Sequence, residues 1–583
     1  MSGTVVLRDV SQNEWLRFEN PREIIQANAL DEILAALERI ETFVNQENGY
    51  AAGFISYEAA PAFDNALRAH ALNDFPLLWF GLYDAPIPFH FQPLTSNLQS
   101  LAWVPNVSRE NYNAAIARVR EHIARGDTYQ VNYTMRLRAE FDNDAWNLFS
   151  HLVHAQPNSY AAFLDTGRFA ICSASPELFL KRAGDCLTMK PMKGTAPRGR
   201  FLREDRERAN WLHHSEKNRA ENVMIVDMVR NDLGRIADVG SVHVAQLWET
   251  ERYPTLWQMT STVQATSDAS FAEILRATFP CASITGAPKA RTMQIISELE
   301  TESRRAYTGA IGFLAPNRRA QFNVAIRTAI VDREKHFAEY GVGGGIVWDS
   351  EAGDEYAETR HKARVLTEKL QEFSLIESLR WTPNEGFWLL EYHLRRLRDS
   401  ADYFDFVLDE TRVLDKLERV ASKLPRIGHK VRLLMARDGS VEISAAPLQA
   451  QREPVQLALA QNPAHSHDKF LFHKTTQRAV YDAAMAERGD ADDVLLWNER
   501  GEITETCVAN IVVQFGDELF TPPLECGLLG GTLRAYLLEQ GKIRERAILW
   551  QELIDARALF RINSVRGWQS ARLENASPAM GRD

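Results

Sequence analysis

Residues 341–359 read GVGGGIVWDSEAGDEYAET, and the first half of the chain is interpreted outward from this stretch. Glycines typically expose backbone N–H groups to anions, so a glycine-rich loop is predicted from Gly341 to Ser350. A helix is predicted next, with Glu355, Glu358 and Lys362 at i, i+3 and i+7 on one face. Two interpretations are open: a solvated charged face, or carboxylates for a hard cation such as Mg²⁺, which prefers oxygen ligands.

Three further segments of the first half carry candidate ligands. AENVMIVDMVRNDLGRI (220–236) predicts a helix with Glu221 at its head. Arg327 follows the strand-like NVAIRT, where a guanidinium grips a carboxylate or pairs with a surface acid. SITGAPKA places Thr285 before a predicted helix, as an anion-binding turn or as an ordinary capped helix start. Together these segments predict a site for a cation and an anionic ligand.

Composition limits the class of protein. The 583 residues carry a net charge of −11, which argues against binding to nucleic acid or to a membrane surface. Five cysteines without a CxxC pair argue against a disulfide framework and a zinc site. The start lacks a secretory signal, and no apolar run approaches the ~20 residues of a membrane span. We therefore expect a cytoplasmic protein.

Helix-like and strand-like segments alternate throughout, which predicts an α+β fold in both halves. ETRHKARVLTEKLQEF (358–373) predicts a charged amphipathic helix, after which LIESLRWTPNEGFWLL (375–390) predicts strand, turn and strand. We place the main boundary there. The predicted domains are 1–372, with an N-terminal subdomain 1–105 and a catalytic core 106–372, and 373–583.

The motifs of the first half occur in a specific order over roughly 370 residues: GDTYQVNYT, SASPELF, KPMKGTAPRG, AENVMIVDMVRNDLGRI, SITGAPKARTMQIISELE, YTGAIGF, NVAIRT and GGGIVWDSEAGDEYAET. This order resembles the chorismate-utilising enzymes, the family of anthranilate, aminodeoxychorismate, isochorismate and salicylate synthases. The resemblance implies a β-sandwich core flanked by helices that binds Mg²⁺ and chorismate. It implies Mg²⁺ ligation, directly or through water, by Glu221, Glu355 and Glu358. It implies substrate binding by Thr195, Thr285, Tyr307, Arg327, Gly344, Gly345 and Lys362.

Two positions distinguish among the reactions of that family. Members that add water use a lysine base where this chain has Gln130, and glutamine cannot take a proton. Lys193 stands in PMKGT where anthranilate synthases have alanine and aminodeoxychorismate synthases have lysine. A neutral lysine amine attacks ring carbon 2 and expels the carbon-4 hydroxyl, after which ammonia displaces the lysine at carbon 4 with retention. A nearby cation lowers the pKa of such a lysine.

Three positions depart from the family pattern, and one expected motif is absent. Gln258 stands where many relatives have histidine, Asn218 where many have a glutamate, and Ala282 where glycine is common. No GxCxGxQ-like nucleophile motif is found, so the nitrogen is expected from a separate glutamine amidotransferase subunit.

The second half carries its own ordered motifs: HLRRL with Arg396, FHKTTQRAVYD with Lys474, NERGEITETCVANIVV with Glu505, GLLGGTLRAYLLE and NSVRGW. Their order resembles the class IV pyridoxal phosphate enzymes, which include aminodeoxychorismate lyase. The resemblance implies two α+β subdomains and a homodimer through this domain. Lys474 would bind the cofactor aldehyde, and Glu505 would pair with the pyridine nitrogen. The phosphate would be held by Arg396, Thr532, Leu533 and Ser564.

Together the two resemblances predict a bifunctional enzyme of folate synthesis that converts chorismate to 4-amino-4-deoxychorismate, and that product to 4-aminobenzoate and pyruvate. Two alternatives stay open. One is an anthranilate synthase component I fused to a class IV aminotransferase. The other is a non-catalytic chorismate sensor or scaffold.

Overall fold

The structure is a computed structural model that describes residues 2–92, 101–157, 159–367 and 372–574. The chain divides into two units: Met1–Pro197 with Ala209–Leu370, and Arg198–Arg208 with Gln371–Asp583. Strands and helices intermix in both, so the predicted α+β class is confirmed. In this division residues 198–208 group with the second unit, and the boundary between the two halves falls between Leu370 and Gln371.

The strands that lie in the first unit share an antiparallel arrangement in two ten-stranded sheets. They are β1 Thr4–Asp9, β2 Glu14–Phe18, β3 Glu23–Ala27, β4 Tyr50–Ile55, β5 Leu78–Tyr83, β6 Ile87–Phe89, β7 Val104–Pro105, β8 Gln130–Glu140, β9 Tyr160–Asp165, β10 Phe169–Ser175, β11 Leu178–Ala183, β12 Cys186–Lys190, β13 Met192–Pro197, β14 His243–Arg252, β15 Leu256–Thr266, β16 Gly286–Ala287, β17 Ala310–Ala315, β18 Arg319–Val324, β19 Thr328–Asp332 and β20 Phe337–Ile346.

The first sheet has the order β16-β8-β20-β19-β10-β9-β1-β2-β6, with β7 beside β8. The second has the order β13-β15-β12-β11-β18-β17-β4-β5-β3, with β14 beside β15. Strands from residues 1–105 contribute to both sheets, so this range does not form a sheet of its own. The turn between β10 and β11 passes from the first sheet to the second.

The helices described between residues 33 and 363 are α1 Ile33–Gln46, α2 Arg109–Ala124, α3 Ala145–Ala155, α4 Leu202–His214, α5 Glu216–Gly234, α6 Phe271–Thr278, α7 Lys289–Leu299 and α8 Ala352–Ala363. Apart from α4, whose first turns belong to the second unit, they cover the outer faces of the two sheets. Helices α2, α3 and α7 pack on the first sheet, and α1, α5 and α6 pack on the second.

The alternation of side chains along β1 explains how three hydrophobic layers form. Val5 and Leu7 point into the core between the two sheets, where Phe54 and Phe313 also pack. Val6 points to the opposite face, where it packs under the helices of the first sheet. Because successive side chains of a strand face opposite ways, one apolar strand supplies both cores.

Two local predictions were wrong in part. The predicted loop from Gly341 to Ser350 is a strand as far as Ile346, paired along its length with β8. Glycine in a strand permits close approach of neighbouring groups, and that is its role here. A helix was predicted over residues 358–373, but only its first six residues are α-helical, as the end of α8 at Ala363. A 3₁₀ turn follows at Arg364–Leu366. Residues 368–371 lie outside the described residues.

The second unit contains a small sheet, β22-β21-β23-β24, and a larger one, β27-β26-β25-β32-β31-β28-β29-β30. Its strands are β21 Leu375–Thr382, β22 Gly386–Phe387, β23 His429–Met435, β24 Val441–Pro447, β25 Val455–Leu459, β26 Asp493–Trp497, β27 Ile503–Thr506, β28 Asn510–Phe515, β29 Glu518–Thr521, β30 Arg544–Glu545, β31 Ala558–Asn563 and β32 Gly567–Leu573. Its own helices are α9 Leu390–Phe404, α10 Glu410–Ala421, α11 Ala479–Ala486 and α12 Thr532–Glu539. Among the described residues, no helix is long and apolar enough to cross a membrane.

Candidate active centres

Lys193 lies on β13, at one edge of the second sheet, where the register with β15 shifts between Met192 and Thr195. Helix α5 holds this irregular backbone, because Asn222 Nδ2 donates to the Lys193 carbonyl at 3.3 Å. Ser261 Oγ in turn donates to Asn222 Oδ1 at 2.6 Å. The position of the lysine is therefore set by two neighbouring elements.

The side chain of Lys193 meets Gln130 over Gly345. A Cβ at position 345 would lie 2.5 Å from Lys193 Nζ and 2.8 Å from Gln130 Nε2. Gln130 is fully buried, and neither atom of its amide has a hydrogen-bond partner among the described residues. Buried amides are nearly always paired, so this one is available for a ligand.

Glu177 is a buried carboxyl beside Lys193 that the sequence-based prediction missed. It sits in the turn that passes between the two sheets, and burial raises its pKa to about 7 despite the opposing effects of Ser283 and Lys193. Its Oε1 has no hydrogen-bond partner in the described part of the chain. The signal was present in SASPELF, which contains one acidic residue in an otherwise uncharged strand–turn–strand stretch.

Burial lowers the pKa of Lys193, and the ammonium group of Lys362 adds to this effect. The carboxylates of Glu221, Glu358 and Glu177 oppose it. Burial thus favours the neutral amine of Lys193 and, at the same time, the neutral acid of Glu177.

Glu355 and Glu358 converge over Gly344. A Cβ at position 344 would lie 3.3 Å from Glu355 Oε2 and 3.9 Å from Glu358 Oε1. Lys362 Nζ lies 2.6 Å from Glu358 Oε1 and donates to the Gly343 carbonyl at 2.9 Å. Burial raises the pKa of Glu355, and the neighbouring charge of Glu358 adds to the shift. The predicted face of the helix, now α8, is therefore turned toward the glycines of strand β20.

The other predicted substrate ligands are placed less uniformly. Arg327 has φ 52° and donates to the backbone carbonyl of Lys362, so it joins the acidic helix. Thr195 is exposed and donates to Gln258 Oε1 at 3.2 Å. Thr285 is buried, and its hydroxyl donates to the carbonyl of Ala282 at 3.2 Å.

Tyr307 is buried beneath the guanidinium of Arg136, at 5.3 Å from ring centroid to Cζ. Asn218 donates to Ser215 Oγ at 2.8 Å and packs against Gly194, where a Cβ would lie 3.1 Å from its side chain. Asn218 therefore supports the glycine that follows Lys193.

In the second unit, Lys474 lies near both a cation and a carboxyl group. Burial lowers its pKa to about 8, and the guanidinium of Arg396 adds to the shift. The charges of Glu377 and Glu505 oppose it. Glu505 is buried and accepts hydrogen bonds from Tyr481 Oη, the Leu529 N–H and Asn510 Nδ2, at 2.8, 2.9 and 3.1 Å.

Arg396 lies on α9 and donates two hydrogen bonds to the buried Glu377, at 2.9 and 2.6 Å. Its third nitrogen donates to the Gly530 carbonyl at 3.3 Å, beside the start of α12. Thr532 and Leu533 open α12 and are buried. Gly531 is required there, because a Cβ would lie 1.8 Å from Asn510 Oδ1. Ser564 is buried in the turn between β31 and β32.

Comparison with known proteins assigns the family. The chorismate binding enzyme family matches residues 4–368. The chain belongs to this family. The amino-transferase class IV family matches residues 374–573. Both resemblances predicted from the sequence motifs are thereby confirmed.

Individual relatives agree with this assignment. Aminodeoxychorismate synthase component 1 of Klebsiella aerogenes is 40% identical over 298 residues, which are 51% of this chain and 64% of that protein. The protein of the same name from Salmonella typhimurium is 36% identical over 354 residues, which are 55% of this chain and 77% of that protein. The crystal structure of anthranilate synthase component I from Streptococcus pneumoniae aligns with a TM-score of 0.53 at 26% identity, over 60% of this chain and 91% of that chain. The match to the first of these relatives therefore spans less than two thirds of that protein's length.

The carboxylates of this chorismate binding enzyme fit Mg²⁺ as a pair. Within the ranges that the structure describes, no group of three or more His, Cys, Asp or Glu residues is placed to hold a metal ion. The predicted ligands Glu221, Glu355 and Glu358 are thus not gathered as three direct ligands. Glu355 and Glu358 do converge, and Mg²⁺ is commonly held by one or two carboxylates while it keeps several waters.

The class IV half fits pyridoxal phosphate on three counts. Lys474 lies within electrostatic reach of a cation suited to a phosphate and of a buried carboxyl suited to a pyridine nitrogen. The backbone at Thr532 and Leu533 begins a helix, where free N–H groups suit a phosphate. Gly531, which precedes these residues, leaves room for Asn510, a hydrogen-bond donor to Glu505.

Substitution of Gly345 by alanine tests whether Lys193 and Gln130 meet over this residue of β20. The new Cβ would collide with Lys193 Nζ and Gln130, so we expect chorismate to bind about tenfold more weakly or worse, while the fold is retained. Gly353→Ala is a matched control, because its Cβ meets nothing closer than 4.0 Å and alanine favours a helix. Calorimetric titration with chorismate and Mg²⁺ measures both variants. Wild-type affinity in Gly345→Ala would contradict the arrangement.

Proposed function

We propose that this chain makes 4-aminobenzoate from chorismate in two steps. The first half would place ammonia on ring carbon 4 and release 4-amino-4-deoxychorismate. The second half would eliminate pyruvate from that product. The observation that carries this proposal is the juxtaposition of the Lys193 amine with the unpartnered Gln130 and the protonatable Glu177.

The first covalent step uses Lys193 as the nucleophile. Its neutral amine forms a bond to ring carbon 2, the ring double bonds shift, and the bond between carbon 4 and its hydroxyl oxygen breaks. Glu177 supplies the proton with which the hydroxyl leaves as water. Mg²⁺, when bound by Glu355 and Glu358, supplies positive charge for a substrate carboxylate.

The second step reverses the first with a new nucleophile. Ammonia forms a bond to carbon 4, the double bonds shift back, and the bond between carbon 2 and the Lys193 nitrogen breaks. Carbon 4 is trigonal between the two steps, and addition of ammonia on the face that the hydroxyl left gives net retention there. Gln130 cannot take a proton from water, so it favours ammonia over hydration. A glutamine amidotransferase subunit is the proposed ammonia source, in line with the component 1 name of the relatives.

Replacement of Lys193 by alanine tests the covalent role. We expect carbon-4 amination to fall by about three orders of magnitude or more, as when a nucleophile is removed, with chorismate still bound. Lys190→Ala is the matched control. Lys190 belongs to the same motif as Lys193, but its ammonium group pairs with Glu251 on β14. Chromatography of the products from chorismate, ammonium and Mg²⁺ measures both.

Two outcomes of that experiment would contradict the proposal. Full activity in Lys193→Ala would remove the nucleophile. Anthranilate as the main product of the wild type would favour the rival assignment, an anthranilate synthase component fused to an aminotransferase.

Glu177→Gln tests the proton donor through its pH dependence. The acid form is the active one, so we expect the wild-type rate at constant free ammonia to fall as the pH rises through about 7. The variant should lose this alkaline limb and about 10²–10⁴ of the rate. Glu298→Gln, an exposed position on α7, should keep both. An unchanged alkaline limb in Glu177→Gln would exclude this carboxyl as the donor.

The second reaction rests on groups that bind and move protons. Arg396, Ser564 and the N–H groups of Thr532 and Leu533 would hold the phosphate, and the carboxylate of Glu505 would face the pyridine nitrogen. Pyridoxal phosphate, when bound, supplies an electron sink for the carbon that bears the amine. Lys474 would take the proton from ring carbon 4 as the bond from carbon 3 to the enolpyruvyl oxygen breaks, and the released enolpyruvate becomes pyruvate. The product ring becomes aromatic, which drives the elimination.

The capture of pyridoxal phosphate by cofactor-free protein should follow the ionisation of Lys474. Only the neutral amine attacks an aldehyde, so capture should be slow below pH 8 and reach a plateau above it. Borohydride reduction followed by mass measurement should find one added cofactor, absent in Lys474→Ala and present in Lys469→Ala. A midpoint near the ordinary value of 10.5 would contradict the burial of Lys474.

A further inference from the structure

The second unit contains one segment from far earlier in the chain, Arg198–Arg208, which reads RGRFLREDRER and follows β13 directly. We call it the strap. Buried Asp205 closes it on itself by accepting from Arg198 Nε at 2.7 Å and from the Gly199 N–H at 2.8 Å. Gly199 is required for this closure, because a Cβ would lie 2.2 Å from the Asp205 nitrogen.

Arg200 of the strap ties together the two loops that lead to the proposed cofactor ligands. Its guanidinium donates to the carbonyls of Ser466 and Glu525, each at 3.4 Å. The first loop runs on to Lys474, and the second runs on to Thr532. The same guanidinium lies over the ring of Phe472, at 5.2 Å from the centroid.

Phe201 adds an apolar contact at the same place. Its ring lies 5.3 Å from that of Phe472, two residues before Lys474. Both rings belong to the cluster that contains Tyr481, whose hydroxyl donates to Glu505 at 2.8 Å. One apolar cluster therefore joins the strap to the residues on either side of the proposed pyridine site.

A third line of contact reaches the residue before Lys474. The Tyr403 hydroxyl donates to the Gly199 carbonyl at 2.7 Å, and Arg198 donates to the Tyr403 carbonyl at 2.8 Å. The Tyr403 ring packs on that of His473 at 4.4 Å. His473 is buried and shares a hydrogen bond of 2.9 Å with Ser400.

The strap also forms one wall of a cavity of about 240 Å³ in this unit. Phe201, Leu202 and Arg203 line it from the strap, and Arg396 and Thr532 line it from α9 and α12. The strap thus lies against the loop from Ser466 to Lys474 and, across this cavity, faces Arg396 and Thr532, which are proposed to hold the phosphate.

We propose that the strap belongs structurally to the second active centre. Phe201 and Arg200 are positioning residues for the loops that lead to Lys474 and Thr532. They hold these two loops at a fixed separation, through the ring of Phe472 and the carbonyls of Ser466 and Glu525. The proposal rests on the proposed lyase function. Because the strap follows the strand that carries Lys193, the first half of the chain supplies a structural part of the second centre.

The full-length, cofactor-free protein tests this by titration with pyridoxal phosphate, followed by absorbance. We expect Phe201→Ala and Arg200→Ala each to weaken cofactor binding about tenfold, and to shift the pH midpoint of the bound-cofactor band, with carbon-4 amination unchanged. Phe201→Leu, which keeps an apolar contact, should recover most of the affinity. Arg206→Ala is the matched control, because it removes an exposed ion pair to Asp402 on the same segment.

The outcomes separate this proposal from the proposed function. Wild-type affinity and an unshifted band in both Phe201→Ala and Arg200→Ala would overturn the positioning role while the lyase proposal stands. Equal weakening in Arg206→Ala would also overturn it, since general loosening of the segment would then suffice. If Phe201→Ala does not fold, Arg200→Ala decides, because Arg200 is only partly buried. A wild type that captures no cofactor would overturn the lyase function and this proposal together.

Discussion

The first active centre depends on the burial that lowers the pKa of Lys193, a half-buried lysine. The lysine lies on the edge of one sheet, Gln130 and Gly345 lie on the other, and Glu177 lies in the turn that joins them. Burial disfavours charged forms, so the same packing lowers the pKa of the Lys193 amine and raises that of the Glu177 carboxyl, which favours the neutral form of each. A nucleophile and a proton donor need those two states. In water at neutral pH, a lysine and a glutamate would hold the opposite ones.

Space for the ligand comes from missing side chains. Along β20, Gly344 leaves room for the two carboxylates of α8, and Gly345 leaves room for Lys193 and Gln130. Gly341 lets the strand pass the ring of Tyr307, since a Cβ there would lie 2.3 Å from it. Extended backbone suits this task better than a flexible loop, because a strand paired with β8 along its length fixes where each gap falls.

The sequence predicts features that depend on neighbouring residues or on a set of motifs in a fixed order. Fold class, helix α5 and both family resemblances follow from such signals, although α5 begins at Glu216, so Glu221 lies inside the helix and not at its head. It does not predict whatever depends on distant packing. Glycine patterns do not distinguish a loop from a strand, and so the run at Gly341 was misassigned. The role of Glu177 depends on burial, and the place of Arg198–Arg208 depends on contacts with residues more than two hundred positions away.

Lys193 and Lys474 show that the reaction of a lysine depends on its neighbours as well as on its own side chain. Both stand in polar motifs, and in both the pKa is lowered first by burial and then by a neighbouring cation, Lys362 for Lys193 and Arg396 for Lys474. Their acids differ. Glu177 keeps an oxygen without a partner among the described residues, which suits a group that must give up a proton. Glu505 accepts three hydrogen bonds, and such bonds stabilise a carboxylate that must stay in place as a permanent partner. Burial raises the pKa of both acids to about 7, so the two differ in their hydrogen bonds: three fix Glu505 in place, while one oxygen of Glu177 has no partner in the described part of the chain.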